Sequence, residues 1–91
     1  MMKQDLVAHI RDHAGLSKVD SKKALDAMLD GISSELAAGG EVKLPGFGNF
    51  SIRHSAARTI KGPMFDKPVH VAAKKHPVFK AGKSLKDLVN N

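Results

Sequence analysis

An α+β fold is predicted by three features of the chain. Through residues 1–40 the apolar side chains recur at helical spacing. From residue 41 the repeat shortens to two, and after Gly82 it becomes helical again. A helix pair, then strands, then one short helix fits a single domain over residues 1–91.

Residues 3–14 read as the first helix, with Leu6, Val7, Ile10 and Ala14 on one side and Gly15 as the stop. Ser17 can cap a second helix, and Asp20 three residues on sits near its positive end. Leu25, Met28, Leu29, Ile32 and Leu36 form its apolar stripe, while Lys22, Lys23, Asp26, Asp30 and Glu35 fall largely off it. Gly39-Gly40 ends it. The short connection predicts a helical hairpin.

Val42 and Leu44 alternate with Glu41 and Lys43 as the first strand of an antiparallel sheet. Pro45-Gly46-Phe47-Gly48 is a turn with an aromatic anchor. Phe50 and Ile52 then face one way, Ser51 and Arg53 the other. Between Arg53 and Ile60 the only sizeable apolar side chain is Ile60, and a second extended run from Lys67 to Lys75 carries Val69 and Val71. Lys61-Gly62-Pro63-Met64-Phe65-Asp66 is turn-like and separates the two runs. The pattern predicts a β-ribbon arm over about residues 53–76, too poor in apolar groups to pack on a core. Ten extended residues reach about 33 Å. Pro77 punctuates the return strand, Phe79 is again core-sized, and Leu85, Leu88 and Val89 share a face of the final helix.

The formal charge is +6, from 15 Lys+Arg and 9 Asp+Glu. Residues 1–40 hold 5 basic and 6 acidic side chains; residues 41–91 hold 10 and 3. The basic excess thus belongs to the strand half, which suggests a polyanionic partner: nucleic acid first, an anionic membrane surface second. There are 0 cysteines, so neither a disulfide framework nor a thiolate metal site is available. A chain this small gains from oligomerisation. No apolar stretch has spanning length, and Asp5, His9, Arg11 and Asp12 interrupt any signal-peptide core. These features lead us to expect a soluble, cytoplasmic protein without a membrane partner.

His9 and His13 stand four apart on a helix, but two ligands with no third nearby do not make a metal site. His54, His70 and His76 fall in or near the arm and read first as solvated ribbon residues, although histidine can gain charge beside a polyanion. Gly46-Phe47-Gly48 lacks the lysine and helix start of a phosphate loop. Nothing resembles an activated nucleophile, so neither enzyme activity nor a cofactor is expected.

Three motifs then carry a resemblance: Gly46-Phe47-Gly48-Asn49-Phe50, Ala56-Ala57-Arg58-Thr59, and Phe79-Lys80-Ala81-Gly82-Lys83 with Leu85-Lys86-Asp87. In this order and at these separations the chain resembles the HU/IHF family of bacterial histone-like proteins, HU more closely than IHF, over essentially its whole length. The resemblance implies an intertwined dimer with residues 1–40 as the helical dimerisation part. Leu29, Ile32, Leu36, Leu44, Phe47, Phe50 and Phe79 then belong to the dimer core. It also implies non-enzymatic binding and bending of double-stranded DNA with low sequence specificity, through two arms in the minor groove. Pro63 stands where the family has an intercalating proline. Arg53, Arg58, Lys61 and Lys67 would lie on the arm, Lys74 and Lys75 at its return, and Lys80, Lys83 and Lys86 on the body under the phosphates. Lys3 matches a basic position near the backbone.

The arm tip departs from the family pattern. Lys61-Gly62-Pro63 replaces the usual Arg-Asn-Pro, and Met64, Phe65 and Asp66 follow in place of a polar turn. Lysine lacks the planar fork of arginine. Met64 or Phe65 is a candidate second wedge beside Pro63. A preference for bent or nicked DNA, a homodimer and a nucleoid location are the leading expectations. Alternatives are an IHF-like sequence-selective bender with a second subunit, an interaction module that has lost DNA binding, and RNA as the partner.

Overall fold

A computed structural model describes residues 1–62 and 67–90. The elements run α1 (Lys3–Ala14), α2 (Lys18–Ala37), β1 (Val42–Leu44), β2 (Gly48–Ser55), β3 (Arg58–Ile60), β4 (Val69–Val71), β5 (Lys74–Ala81) and α3 (Lys83–Val89). They form two compact units, Met1–Glu35 and Leu36–Asn91. The α+β expectation is met in element type and order.

In the first unit, each helix starts on a local hydrogen bond that satisfies an orphan donor. The Met2 N–H donates to Asp5 Oδ2 at 2.6 Å. The Asp20 N–H donates to Ser17 Oγ at 3.0 Å, so Ser17 is the cap of α2 as its sequence position suggests. The Ser17 carbonyl accepts from both the N–H and the hydroxyl of Ser21, at 2.9 and 2.7 Å. This satisfies the fully buried Ser21. Val7 of α1 and Leu25 of α2 are also buried, and the two helices meet narrowly rather than along their lengths. Most of the α2 stripe is therefore left uncovered: Ile32 and Leu36 are half-buried, Met28 and Leu29 exposed.

In the second unit, β1, β2 and β5 form an antiparallel sheet in the order β1-β2-β5, and β3 pairs with β4. The turn into β2 is set by Pro45 and Gly46. The Phe47 N–H donates to the Leu44 carbonyl at 2.9 Å, and Gly46 has φ 84. A proline followed by a left-handed glycine is the type II turn combination. The Gly82 N–H donates to the Phe47 carbonyl at 2.8 Å, which ties the start of α3 to this turn.

The ladder β2–β5 runs out to Ser55↔Lys74, beyond the arm boundary expected at 53 and 76. Three residues further along the same register lies Arg58↔Val71, the first pair of β3–β4. The ribbon is thus one hairpin in continuous register, interrupted where Ala56-Ala57 faces Ala72-Ala73. The expected single run from Lys67 to Lys75 is divided at these alanines. Alanine has low strand preference and offers little cross-strand contact, so the ladder is weakest there.

Gly48 is buried, and a Cβ added to it would stand 2.6 Å from two Phe79 ring atoms and 2.7 Å from the Lys80 carbonyl oxygen. Gly48→Ala should therefore destabilise the fold by about 1–3 kcal/mol through overpacking. Thermal unfolding followed by circular dichroism should show a Tm several degrees lower; an unchanged Tm would contradict this packing of Phe79 on β2.

Candidate nucleic-acid interface

Strand alternation gives the three-stranded sheet two chemically distinct faces. Residues directly opposite in an antiparallel pair share a face. Val42, Phe50 and Phe79 therefore form one row across the sheet, flanked by Leu44, Gly48 and Ala81 on one side and by Ile52 and Pro77 on the other. Phe79 lies between the other two rings, with centroids 5.5 Å from Phe47 and 4.9 Å from Phe50. Both separations suit tilted aromatic pairs.

The opposite face carries the charge. Lys43, Asn49 and Lys80 form one row, and Arg53↔His76 and Ser55↔Lys74 follow toward the arm. Where the ladder is interrupted, Arg53, Ser55, Ala56, Ala57, Arg58, Val71, Lys74 and His76 line an open groove. Its cations come from three strands, and the small alanines give access to the backbone. Among the described residues, no carboxylate lines it. Such a groove suits an anionic oxygen ligand that accepts charge-assisted hydrogen bonds.

The other site residues expected from sequence are distributed more widely. Lys74 and Lys75 point to opposite faces: Lys74 shares the cationic face, whereas Lys75 stands opposite His54 on the other. Lys83 and Lys86 lie three apart on α3, near neighbours on a helical surface. Lys61 and Lys67 are exposed beyond the outer ends of β3 and β4. Pro63, Met64 and Phe65 lie outside the described residues, and with them the wedge expectation. Lys3 belongs to the first unit, where its Nζ is 2.6 Å from Asp26 Oδ1. A phosphate reaching Lys3 must compete with that carboxylate. The hydrogen bond from Lys3 holds the Asp26 carboxyl below the usual carboxylate range, with added attraction from the charges of Lys3 and Lys22.

Two members of the cationic face are absent from the sequence-based site. Lys43 stands in the same row as Lys80, and the alternation Val42-Lys43-Leu44 already directs it away from the apolar face. His76 pairs with Arg53, and only the register reveals that neighbour.

A cationic sheet face that ends in a groove of Arg53, Arg58 and Lys74 at the base of a two-stranded ribbon fits the class of β-ribbon nucleic-acid-binding proteins. The family described as bacterial DNA-binding protein matches residues 1–90, and the chain belongs to it. It is 43% identical over 90 residues to the DNA-binding protein HU-1 of Halalkalibacterium halodurans, covering 99% of this chain and 100% of that one. It is 48% identical over 87 residues to the DNA-binding protein HU of Streptococcus thermophilus, covering 96% of each. The Anabaena HU–DNA cocrystal structure superimposes with a TM-score of 0.85 at 31% identity, covering 98% of this chain and 97% of that one.

The division of the strand residues predicts unequal effects on DNA binding. Lys80→Ala should weaken binding and reduce the slope of log K against log salt by about 0.9 for each phosphate that the lysine neutralises. Lys75→Ala should change both less; equal losses in a salt-series titration would contradict the assignment of faces. Asp26 yields a separate, pH-dependent expectation. Its lowered carboxyl favours the folded state above the unfolded-state value, and this contribution fades as pH falls through the folded-state value. Asp26→Asn should therefore flatten the acid limb of stability below about pH 4, with a smaller effect at high salt. Denaturant melts across that range check it, and an unaltered acid limb would contradict it.

Proposed function

We propose that this protein is a non-enzymatic architectural protein that binds and bends double-stranded DNA with low sequence specificity. The observation that carries the reading is the cationic sheet face that ends in the groove lined by Arg53, Arg58 and Lys74 at the base of the ribbon. Lysines and arginines on such a face meet phosphates, which carry no sequence information, so affinity is general and strongly salt-dependent. The Anabaena relative was crystallised with DNA, which supports the same ligand here.

Bending follows from the arm. Pro63 is the proposed wedge, since a rigid apolar ring enters a base step without losing side-chain entropy. Unstacking costs a few kcal/mol, offset by wider contact with the bent duplex. DNA that is already bent or nicked lowers that cost, so it is the preferred substrate.

The working form is a homodimer with one arm from each chain. The apolar surface left open by a lone chain supports this: Phe47 and Phe79 are 47% and 42% exposed, and Leu88 is 68% exposed. The place of action is the nucleoid, in the bacterial cytoplasm. Among the described residues, no helix is long and apolar enough to cross a membrane.

A binding titration over a salt series, with an intact duplex and the same duplex carrying a nick, tests the function. Affinity should fall steeply with salt, and the nicked duplex should bind tighter. Pro63→Ala should keep salt-dependent binding but lose bending, read by end-to-end fluorescence transfer. Failure to bind either duplex at low salt would overturn the reading.

A further inference from the structure

The groove at the base of the arm contains one histidine. His76 lies among fixed cations. Arg53 is its direct cross-strand partner, Lys74 lies two residues along the same face of β5, and Arg58 and Val71 close the groove from the ribbon. Ser55 is the polar neighbour, with Oγ 3.3 Å from His76 Nε2. His76 is half-buried, and among the described residues no carboxylate lines the groove with it.

This setting acts differently on the two forms of the ring. Without an anion, a protonated His76 would face Arg53 across the ladder and Lys74 along it, and opposed like charges are unfavourable. A phosphate oxygen in the groove reverses the balance. It neutralises the cations and accepts a hydrogen bond from an imidazolium, which is stronger than one from the neutral ring. Ser55 can turn its hydroxyl to accept from the protonated ring or to donate to the neutral one.

We propose that the groove formed by Arg53, Arg58, Lys74 and His76 is a phosphate site that takes up a proton at His76 when DNA binds. This rests on the DNA-binding reading above and adds a proton to it. A ligand that binds the protonated form better must raise proton occupancy on binding, and by linkage binds more tightly as pH falls. His54 is a built-in comparison, because it lies on the other face opposite Lys75 and does not line the groove.

The test is duplex affinity at pH 8 and pH 6 at fixed salt, for the full-length wild type, His76→Gln, His54→Gln and His76→Lys. Wild type should bind about tenfold more tightly at pH 6, the scale of one charge-assisted hydrogen bond. His76→Gln, its folding checked by thermal unfolding, should lose most of the gain between pH 8 and pH 6 whatever its affinity at pH 8. His54→Gln should keep the gain. His76→Lys should bind at pH 8 nearly as wild type binds at pH 6. Calorimetric titration in two buffers of different ionisation enthalpy should show net proton uptake on binding near pH 6.5, absent in His76→Gln. A gain that survives in His76→Gln, or no proton uptake by wild type, overturns the proton-linked site alone. No duplex binding by wild type at either pH would instead overturn the DNA-binding reading.

Discussion

The structure depends on one constraint: a single chain carries more apolar surface than it can cover. Among the described residues the buried hydrophobic side chains are Val7 and Leu25, at 7% and 6% exposure. Met28 and Leu29 of the α2 stripe, Phe47 and Phe79 of the aromatic cluster, and Leu88 and Val89 of α3 all remain exposed. Burying apolar area contributes roughly 25 cal/mol per Å², the dominant favourable term in folding. A chain that leaves this much uncovered has a strong drive to associate. A second copy is the simplest partner, because identical patches meet by two-fold symmetry. The same association would supply the second arm needed to hold a bent duplex from both sides.

Alternation along the strands connects this constraint to function. The row Val42–Phe50–Phe79 makes one face of the sheet apolar, so the intervening row Lys43–Asn49–Lys80 is necessarily on the other. A one-residue slip would exchange the two faces. Gly48 helps to specify the register, because only a residue without Cβ admits the Phe79 ring above it. The charges of the cationic face are thus positioned by the packing of the aromatic cluster behind them. The paired alanines end this regular ladder and open the groove where Arg53, Arg58 and Lys74 converge.

Much of this was legible in the sequence because it rests on local rules. Ser17 was readable as a cap, Pro45-Gly46 as a turn, and the periodicity of Leu25, Ile32 and Leu36 as a helix stripe. The family motifs supplied the ligand class. The remainder depends on pairing between distant residues. Nothing local places His76 beside Arg53 or Lys75 opposite His54; both follow from the β2–β5 register. The interruption at Ala72-Ala73 was also hidden, since alanine is compatible with extended backbone and only the register sets this pair against Ala56-Ala57. Lys3 was identified by its match to a basic position of the family, whereas its engagement with Asp26 required the helices to be in contact.

The most direct test of the central claim is thermal unfolding of the isolated protein over about two decades of concentration, with sedimentation velocity at each end. A fold completed by a second copy predicts a dimer mass and a Tm that rises with concentration, because association stabilises by mass action. A folded monomer with a concentration-independent Tm would contradict it, showing that one chain holds its own core with the aromatic cluster exposed.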